Sequence, residues 1–302
     1  MASPLLEVRI QLPKILLSDI RHDKSGFEEL TNLYAKAKEY TFETIQIDMN
    51  TTAWLDADMC SSFGAILYHV TSNLNNVDLV NLQPQVESIL LKNRFLSHYG
   101  KKSIVDSWKT TIKYRHFDVK DGRSFAEYVE SEFIDRDEVP KMSIGLKKKF
   151  KESIFEIFSN SVLHSKTKLG IFTCGQFFPK RNSLNFSISD LGIGIRTNIK
   201  ESIGINLQAD EAIVWATRGS NTTKKGEIPG GLGLKLLCEF IDLNGGRIQI
   251  VSENGYFCRE NSSYRASQLL HPFPGTVVNI EIATHDDVSY TLSEEISPTD
   301  IF

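Results

Sequence analysis

The stretch Phe150-Lys-Glu-Ser-Ile-Phe-Glu-Ile-Phe-Ser-Asn-Ser-Val-Leu-His-Ser165 decides the fold of the second half of this chain. Its spacing predicts a helix, because Glu156, Asn160 and His164 recur every four residues and therefore share one face. The apolar side of the predicted helix is formed by Ile154, Ile157, Phe158 and Leu163. A carboxylate and a carboxamide one helical turn apart can hold a water molecule and a divalent ion together. The helix is therefore the first candidate for a functional site.

Two glycine motifs follow the helix. Asp190-Leu-Gly-Ile-Gly194 comes after residues 184–189, whose alternation of apolar and polar side chains predicts a half-buried strand. Gly230-Gly-Leu-Gly-Leu234 precedes the apolar run Leu236–Ile241, which predicts a helix. Glycine turns let backbone N–H groups approach a ligand closely, and the start of a helix attracts anions.

Each of these features has an ordinary explanation when it is taken alone. Glu156 and Asn160 could be solvated polar residues on a helix surface. An aspartate at a strand end followed by glycines is most often a turn, and glycines before a helix are often a plain loop. The order and spacing of the features together favour a nucleotide site.

That order resembles the GHKL superfamily of nucleotide-binding domains, over residues 140 to 285. Glu156-Ile-Phe-Ser-Asn160 resembles the N box, and residues 190–194 and 231–234 resemble the two glycine boxes. Gly275-Thr276, before the strand-like residues 277–282, resembles the threonine that helps to hold adenine. The resemblance implies a two-layer α/β sandwich that binds ATP and Mg²⁺. The chain has no GxxxxGK[ST] motif, so we expect no P-loop.

The resemblance also implies a role for each matching residue. Asn160 would ligate Mg²⁺, and Glu156 would be the general base that orients water or a hydroxyl nucleophile. Phosphoryl transfer suits this inventory, because it needs positioning and charge neutralisation more than covalent help. The implied nucleotide-binding residues are Asp190 and Thr276 for adenine, Gly192 and Gly194 beside the base, and Gly231 and Gly233 for the phosphates.

The residues between the glycine boxes, about 196–230, would form a lid over the nucleotide. Their last part, 216–226, mixes hydroxyls, cations and glycines, which is also typical of a solvated loop. The functional alternative is that Arg218, Lys224 or Lys225 contacts the γ-phosphate when the lid closes. The residues themselves do not decide among the three, and Lys224 is taken as the candidate.

Composition limits the classes of protein to which the chain can belong. A charged fraction of 24% and an apolar fraction of 41% predict an ordinary globular protein, and a net charge of −4 gives no indication of nucleic-acid binding. The four cysteines are scattered and without a CxxC pair, so we expect buried thiols in a reducing cytoplasm. No long apolar run is present, and neither secretion nor a membrane location is expected.

The first third of the chain alternates predicted strands and helices, which favours an α/β fold with parallel strand pairs. The predicted strands are 6–12, 44–48 and 77–80, and the predicted helices are 26–40, 59–70 and 84–96. The resulting organisation is an N-terminal domain at 1–105, a structured connector at 106–140, the GHKL-like domain at 141–285 and a fraying polar tail at 286–302. The connector contains a predicted strand, 110–117, and a predicted helix, 124–133.

The N-terminal layout resembles the STAS domain of anti-sigma-factor antagonists, which implies a mixed sheet with helices. In the signalling members of that family a GHKL-type kinase phosphorylates a serine at the start of a helix. The corresponding position here carries Ala57 or Asp58, with Ser61 and Ser62 further on. We therefore expect no phospho-switch in this domain. Asp58 is interpreted as a helix N-cap, with mimicry of a permanently charged state as the alternative.

These features leave three classes of function. The chain could be a protein-serine kinase of the anti-sigma-factor-kinase type or an ATPase, in either case in bacterial regulation with the STAS-like domain as the interaction module. It could instead be a non-catalytic, ATP-gated interaction scaffold. A protein partner that binds the STAS-like domain is expected, and a homodimer is possible on any of the three readings.

Overall fold

The computed structural model describes residues 12–163, 165–218, 232–284 and 288–295. Within these ranges the strands are β1 (Lys14–Leu16), β2 (Thr44–Asp48), β3 (Asn76–Val80), β4 (Thr111–Phe117), β5 (Ile171–Phe178), β6 (Ser183–Asp190), β7 (Arg247–Glu260) and β8 (Ser263–Ala283). The α-helices are α1 (Lys24–Ala37), α2 (Cys60–Ser72), α3 (Pro84–Lys92), α4 (Gly122–Val129), α5 (Ile144–Leu163), α6 (Ile195–Ile203), α7 (Ala209–Thr217) and α8 (Leu232–Asn244).

The N-terminal half contains a three-stranded sheet of order β1-β2-β3 in which both strand pairs are parallel. Helices α1 and α2 connect successive strands, and such crossovers return the chain to the same end of the sheet, which makes the pairs parallel. Helix α1 begins where the Asp23 carboxylate accepts the Gly26 N–H at 3.2 Å. The α/β class is confirmed. A mixed sheet was predicted for this half, but its three described strands are all parallel.

Several element boundaries differ by a few residues from those predicted, and two of the differences concern the N-terminal strand and helix α3. Most of the strand predicted at 6–12 lies outside the described residues, and the first described strand is β1. The helix predicted at 84–96 ends at Lys92, because Arg94 has a left-handed backbone with φ 67° and cannot continue it. The chain goes on as a 3₁₀ turn at Phe95–Tyr99.

The C-terminal half contains a five-stranded sheet of order β4-β5-β6-β8-β7, in which every neighbouring pair is antiparallel. Strand β4 lies in the segment predicted to be a connector and forms the edge of this sheet. The helix predicted after it is α4, which continues into a π-helical turn at Glu130–Ile134. These residues therefore pack with the second half of the chain.

Both faces of the five-stranded sheet are covered. On one face, Phe186, Ile188 and Ile280 pack in a cluster with side chains of α4, α5 and α8. On the other face, Phe172 and Val277 pack in a second cluster with side chains of α1 and α2. The N-terminal half thus shares a hydrophobic core with the sheet of the C-terminal half.

Polar side chains also join the two halves. The Ala57 N–H donates to Gln176 Oε1 at 2.7 Å, and the Ser61 N–H donates to Cys174 Sγ at 3.0 Å. The Ser61 hydroxyl is fully buried and bonds to the hydroxyls of Ser187 and of its neighbour Ser189 on β6. Strand β6 was predicted to be half-buried, but it is buried along its whole length because the start of α2 covers its polar face.

The interpretation of Asp58 as a helix N-cap was wrong. Asp58 lies inside a 3₁₀ turn, Ala57–Met59, and α2 has Met59 as its N-cap residue. The buried Asp58 carboxylate instead pairs with Nδ1 of the buried His22. The backbone carbonyl of the same His22 accepts hydrogen bonds at 3.2 Å from the side chains of Arg247 and Gln249 on β7. Asp58 therefore fixes the side chain of His22, whose backbone carbonyl bonds to the C-terminal half.

Part of the tail predicted to fray is held in place. The Tyr290 N–H donates to Lys141 O at 2.8 Å, and Tyr290 O accepts the Ser143 N–H at 2.8 Å. Glu295 accepts the Gly145 N–H at 3.1 Å at the start of α5. In the part of the chain that the structure describes, no helix combines the length and apolar character needed to cross a membrane.

Candidate functional site

Helix α5 carries two of the predicted site residues on one face. Its buried side chains recur at helical spacing and include Phe150, Ile154, Ile157 and Phe158, which anchor it on the five-stranded sheet. Glu156 and Asn160 are half-buried on a different face. His164, the third polar residue of the predicted face, lies outside the described residues.

The Glu156 carboxylate lies at the start of α8. Its Oε2 accepts the Gly233 N–H at 2.9 Å. A Cβ atom at residue 233 would lie 2.5 Å from that oxygen and 3.1 Å from Ser153 Cα, so a side chain here would displace the Glu156 carboxylate and press on α5. An anionic side chain is favourable at a helix N-terminus, where N–H groups lack helical partners. The structure thus joins the Glu156 carboxylate to the second glycine motif.

Asp190 ends β6 in a buried position next to Thr276 of β8. Its Oδ1 accepts the Gly192 N–H at 2.9 Å. Burial raises the pKa of Asp190 to about 6, and nearby donors, namely the Ser161 and Ser165 hydroxyls and the Gly192 and Thr276 N–H groups, partly oppose that rise. Ser161 belongs to α5, so this helix contacts both the Asp190 region and the start of α8.

The first glycine motif is shaped by contacts within the chain. A Cβ atom at Gly192 would overlap Ser165, whose carbonyl accepts the Ile193 N–H at 2.7 Å. Gly194 is the N-cap residue of α6 and has φ 81°. The loop therefore needs Gly192 to pack against Ser165, and it needs Gly194 for a left-handed backbone beside Glu253. The position of these glycines beside the adenine base of a bound nucleotide stays a prediction.

Residues that the sequence reasoning missed also position this loop. Ser252 Oγ accepts the Ile195 N–H at 2.8 Å and lies 2.9 Å from Thr276 Oγ1. Glu253 accepts the Thr197 N–H at 3.2 Å and its hydroxyl at 3.1 Å. Both lie on β7, more than 50 residues from the loop they hold, and no spacing in the sequence points to them.

Asn160 is half-buried and its backbone carbonyl accepts the Ser165 N–H at 3.3 Å. Its side chain makes no hydrogen bond with the residues that the structure describes. In those same residues, no group of three or more His, Cys, Asp or Glu side chains is arranged to hold a metal ion. A metal bound by Asn160 would therefore need most of its ligands from elsewhere, such as phosphate oxygens and water.

The predicted lid is only partly described. Its first part forms α6 and α7, and α7 begins with a capping box in which the Gln208 N–H donates to Glu211 Oε2 at 2.9 Å. Arg218 follows α7 as its C-cap residue. The predicted positions Lys224, Lys225 and Gly231 lie outside the described residues.

The structure thus places the predicted site residues in two groups along α5. The first group consists of Glu156 and Gly233, and the second consists of Asp190, Gly192 and Thr276. Glu156 and Ser161 are five positions apart on α5, which corresponds to about 7.5 Å along the helix axis. A scan against models of protein families and a search of curated proteins both returned no match to this chain. The GHKL and STAS resemblances therefore stay predictions.

Proposed function

We propose that the chain binds ATP with Mg²⁺ between α5, the 190–194 loop and the start of α8. The observation that carries the proposal is the buried Asp190 carboxylate beside Thr276, with a pKa raised to about 6. A buried carboxylate is stabilised by each further donor, and a hydrogen bond to a charged group contributes about 1.5–3 kcal/mol. The adenine amino group is a donor of this kind. The other contacts to the adenine ring would come from Thr276, Gly192 and Gly194.

The start of α8 supports the phosphate end of the same proposal. The Gly233 N–H donates to Glu156 Oε2, so a phosphate at this helix N-terminus would bind the other N–H groups of the first turn. Gly231 and Lys224 are proposed to join it at the phosphates, and Asn160 is proposed to ligate Mg²⁺. Bound Mg²⁺ would neutralise phosphate charge and polarise the phosphoryl group.

We propose that Glu156 is the general base for hydrolysis or for phosphoryl transfer to a partner's hydroxyl. An ionised carboxylate has two oxygens with about four acceptor positions. One of these positions, on Oε2, accepts the Gly233 N–H at 2.9 Å. The same hydrogen bond fixes the direction of the carboxylate, which general-base catalysis needs. The STAS-like half would then recruit or regulate through a protein partner.

One observation favours the alternative, an ATP-gated scaffold without turnover. Glu156 holds the first turn of α8 against α5, and that structural task would by itself account for a carboxylate at this position. In this alternative ATP binding would change the contact between the two helices, and no phosphoryl group would be transferred.

Calorimetric titration with ATP and Mg²⁺ tests the binding site. Asp190→Asn should weaken ATP binding roughly ten- to a hundred-fold, the equivalent of about 1.5–3 kcal/mol. The matched control is Asp137→Asn, at an exposed aspartate, which should bind like the wild type. Equal affinity in all three proteins would refute the site.

A second experiment separates the reactions. The protein is incubated with γ-labelled ATP, Mg²⁺ and a cell lysate, beside a lysate-only control. Extra label on a protein indicates a kinase, and extra free phosphate alone indicates an ATPase. Neither product, with binding intact, indicates the scaffold.

A further inference from the structure

A basic cleft lies between the two halves of the chain, at the edge of the five-stranded sheet and away from α5's Glu156 face. It has a volume of about 440 Å³, in the range of small-molecule sites, which is about 300–1,000 Å³. Five cationic side chains line it: Lys92, Arg94, Lys109, Lys113 and Arg136. The carboxylates in its lining are those of Asp106 and Glu132.

The carboxylates near the cleft pair with only part of this positive charge. Lys113 forms an ion pair with Glu132, and Arg136 forms one with Glu138 at 3.0 Å. The other three cations of the lining form no ion pair with any residue in the described ranges. When Glu138 is counted with the lining, the cleft keeps an excess of two positive charges. A phosphate monoester carries about −1.5 to −2 at neutral pH and would balance it.

The backbone holds Arg94 in place at a conformational cost. Arg94 has φ 67°, a left-handed conformation that costs a side-chain-bearing residue stability and that glycine or asparagine adopts more readily. The buried Asn93 fixes it, since Asn93 O accepts the Tyr114 N–H at 2.7 Å and Asn93 Oδ1 accepts the Phe95 N–H at 2.9 Å. These hydrogen bonds fix the backbone of Arg94 in the lining of the cleft.

Lys109, another residue of the cleft lining, also has a left-handed backbone held by hydrogen bonds. Its φ is 49°, again in the left-handed region. Its N–H donates to Asp106 O at 3.1 Å, and its carbonyl accepts a hydrogen bond from Arg136 at 2.5 Å. The Asp106 carboxylate fixes the turn by accepting the Thr111 N–H at 2.7 Å. The backbones that carry these two unpaired cations are therefore fixed before any ligand arrives, which leaves only the side chains to be ordered on binding.

We infer that this cleft binds a phosphate monoester, held by Arg94, Lys109 and Lys92. Arginine presents a fork of N–H donors that matches phosphate oxygens, and lysine adds a point charge. The phosphate could belong to a small metabolite or to a phosphorylated side chain of a partner protein. This inference does not depend on the proposed ATP site, which uses other residues.

The variant that tests it is Arg94→Gly with Lys109→Gly. Glycine suits both left-handed positions, so the melting temperature of this variant should be unchanged or higher. The matched control is Lys120→Gln with Arg123→Gln, which removes two exposed cations outside the cleft. The control variant and the double-glycine variant therefore have the same net charge. Any phosphate binding at the start of α8 would be common to both variants.

Calorimetry would use glycerol phosphate, a phosphoserine peptide and the same peptide without phosphate, in the absence of Mg²⁺. We expect the wild type and the control variant to bind phosphorylated ligand, with an affinity that falls as sodium chloride is added. The double-glycine variant should bind at least about ten-fold more weakly, as expected for the loss of a charge-assisted contact. Binding of both phosphorylated probes supports a general phosphate site, and binding of the peptide alone supports a protein ligand. No binding, or equal binding by the two variants, overturns the inference.

Discussion

Asp190→Asn should make the protein more stable at neutral pH even though it weakens ATP binding. Burial raises the pKa of the Asp190 carboxyl from 3.8 to about 6 in the folded protein. Its neutral form therefore stabilises the fold fully below about pH 3.8, and that stability is lost as the pH rises through about 6. At about 1.4 kcal/mol for each pKa unit, ionised Asp190 costs about 3 kcal/mol at pH 7. Asparagine carries no charge, and its Oδ1 can still accept the Gly192 N–H.

Denaturant unfolding at two pH values measures this effect. At pH 7, Asp190→Asn should exceed the wild type by up to about 3 kcal/mol in the free energy of unfolding. Near pH 4 the difference should shrink to less than about 1 kcal/mol, since most wild-type molecules then keep the carboxyl protonated. The exposed control Asp137→Asn should show no such dependence on pH. If the gain of Asp190→Asn is absent, or is as large at pH 4 as at pH 7, then burial does not hold this carboxyl near its neutral form.

The remaining predictions concern α5 and the contact between the halves. Asn160→Ala should abolish Mg²⁺-dependent ATP binding, whereas Glu156→Ala should keep binding and lose turnover, because a base acts mainly in the transition state. Calorimetry measures the binding and phosphate release measures the turnover. Equal loss of binding in both variants would contradict the assigned roles. Ser61 and Ser62 should carry no phosphate after incubation with ATP, because both are fully buried against β6; stoichiometric phosphate found by mass spectrometry would contradict this. A fragment of residues 106–302 should melt at a lower temperature than the whole chain, because the sheet loses the apolar cover of α1 and α2; an unchanged melting temperature would show that the shared core contributes little.

The parts of the fold that were predicted well are those whose signal is local. The strand predicted at 44–48 is β2 with the same bounds. The helix predicted from Phe150 to Ser165 overlaps α5, which begins at Ile144 and ends at Leu163, because its apolar residues recur at helical spacing over several turns. Helix α3 begins at Pro84 as predicted, since proline fits the first turn of a helix. Each of these elements is determined by neighbours a few residues away.

The candidate site could be predicted only as a set of residues. The sequence indicated Glu156 and the glycine motif at 231–234 separately, and the structure places the Glu156 carboxylate on the Gly233 N–H. Nothing in the sequence indicated that Ser252 and Glu253 hold the 190–194 loop, because those contacts depend on the pairing of β7 with β8. A role for the glycines in packing was likewise hidden, since Ser165 approaches Gly192 only in the folded chain.

The contact between the two halves escaped prediction for a related reason. Polar residues at alternate positions of β6, such as Ser187 and Ser189, are typical of a strand with one face in water. In the folded chain these hydroxyls are fully buried and bond to Ser61 at the start of α2. A buried polar group costs stability unless it finds a partner, and that partner can come from any part of the chain. Ser61 is more than 100 residues from β6 in sequence, so the alternation in β6 alone cannot distinguish a face covered by water from one covered by another part of the protein.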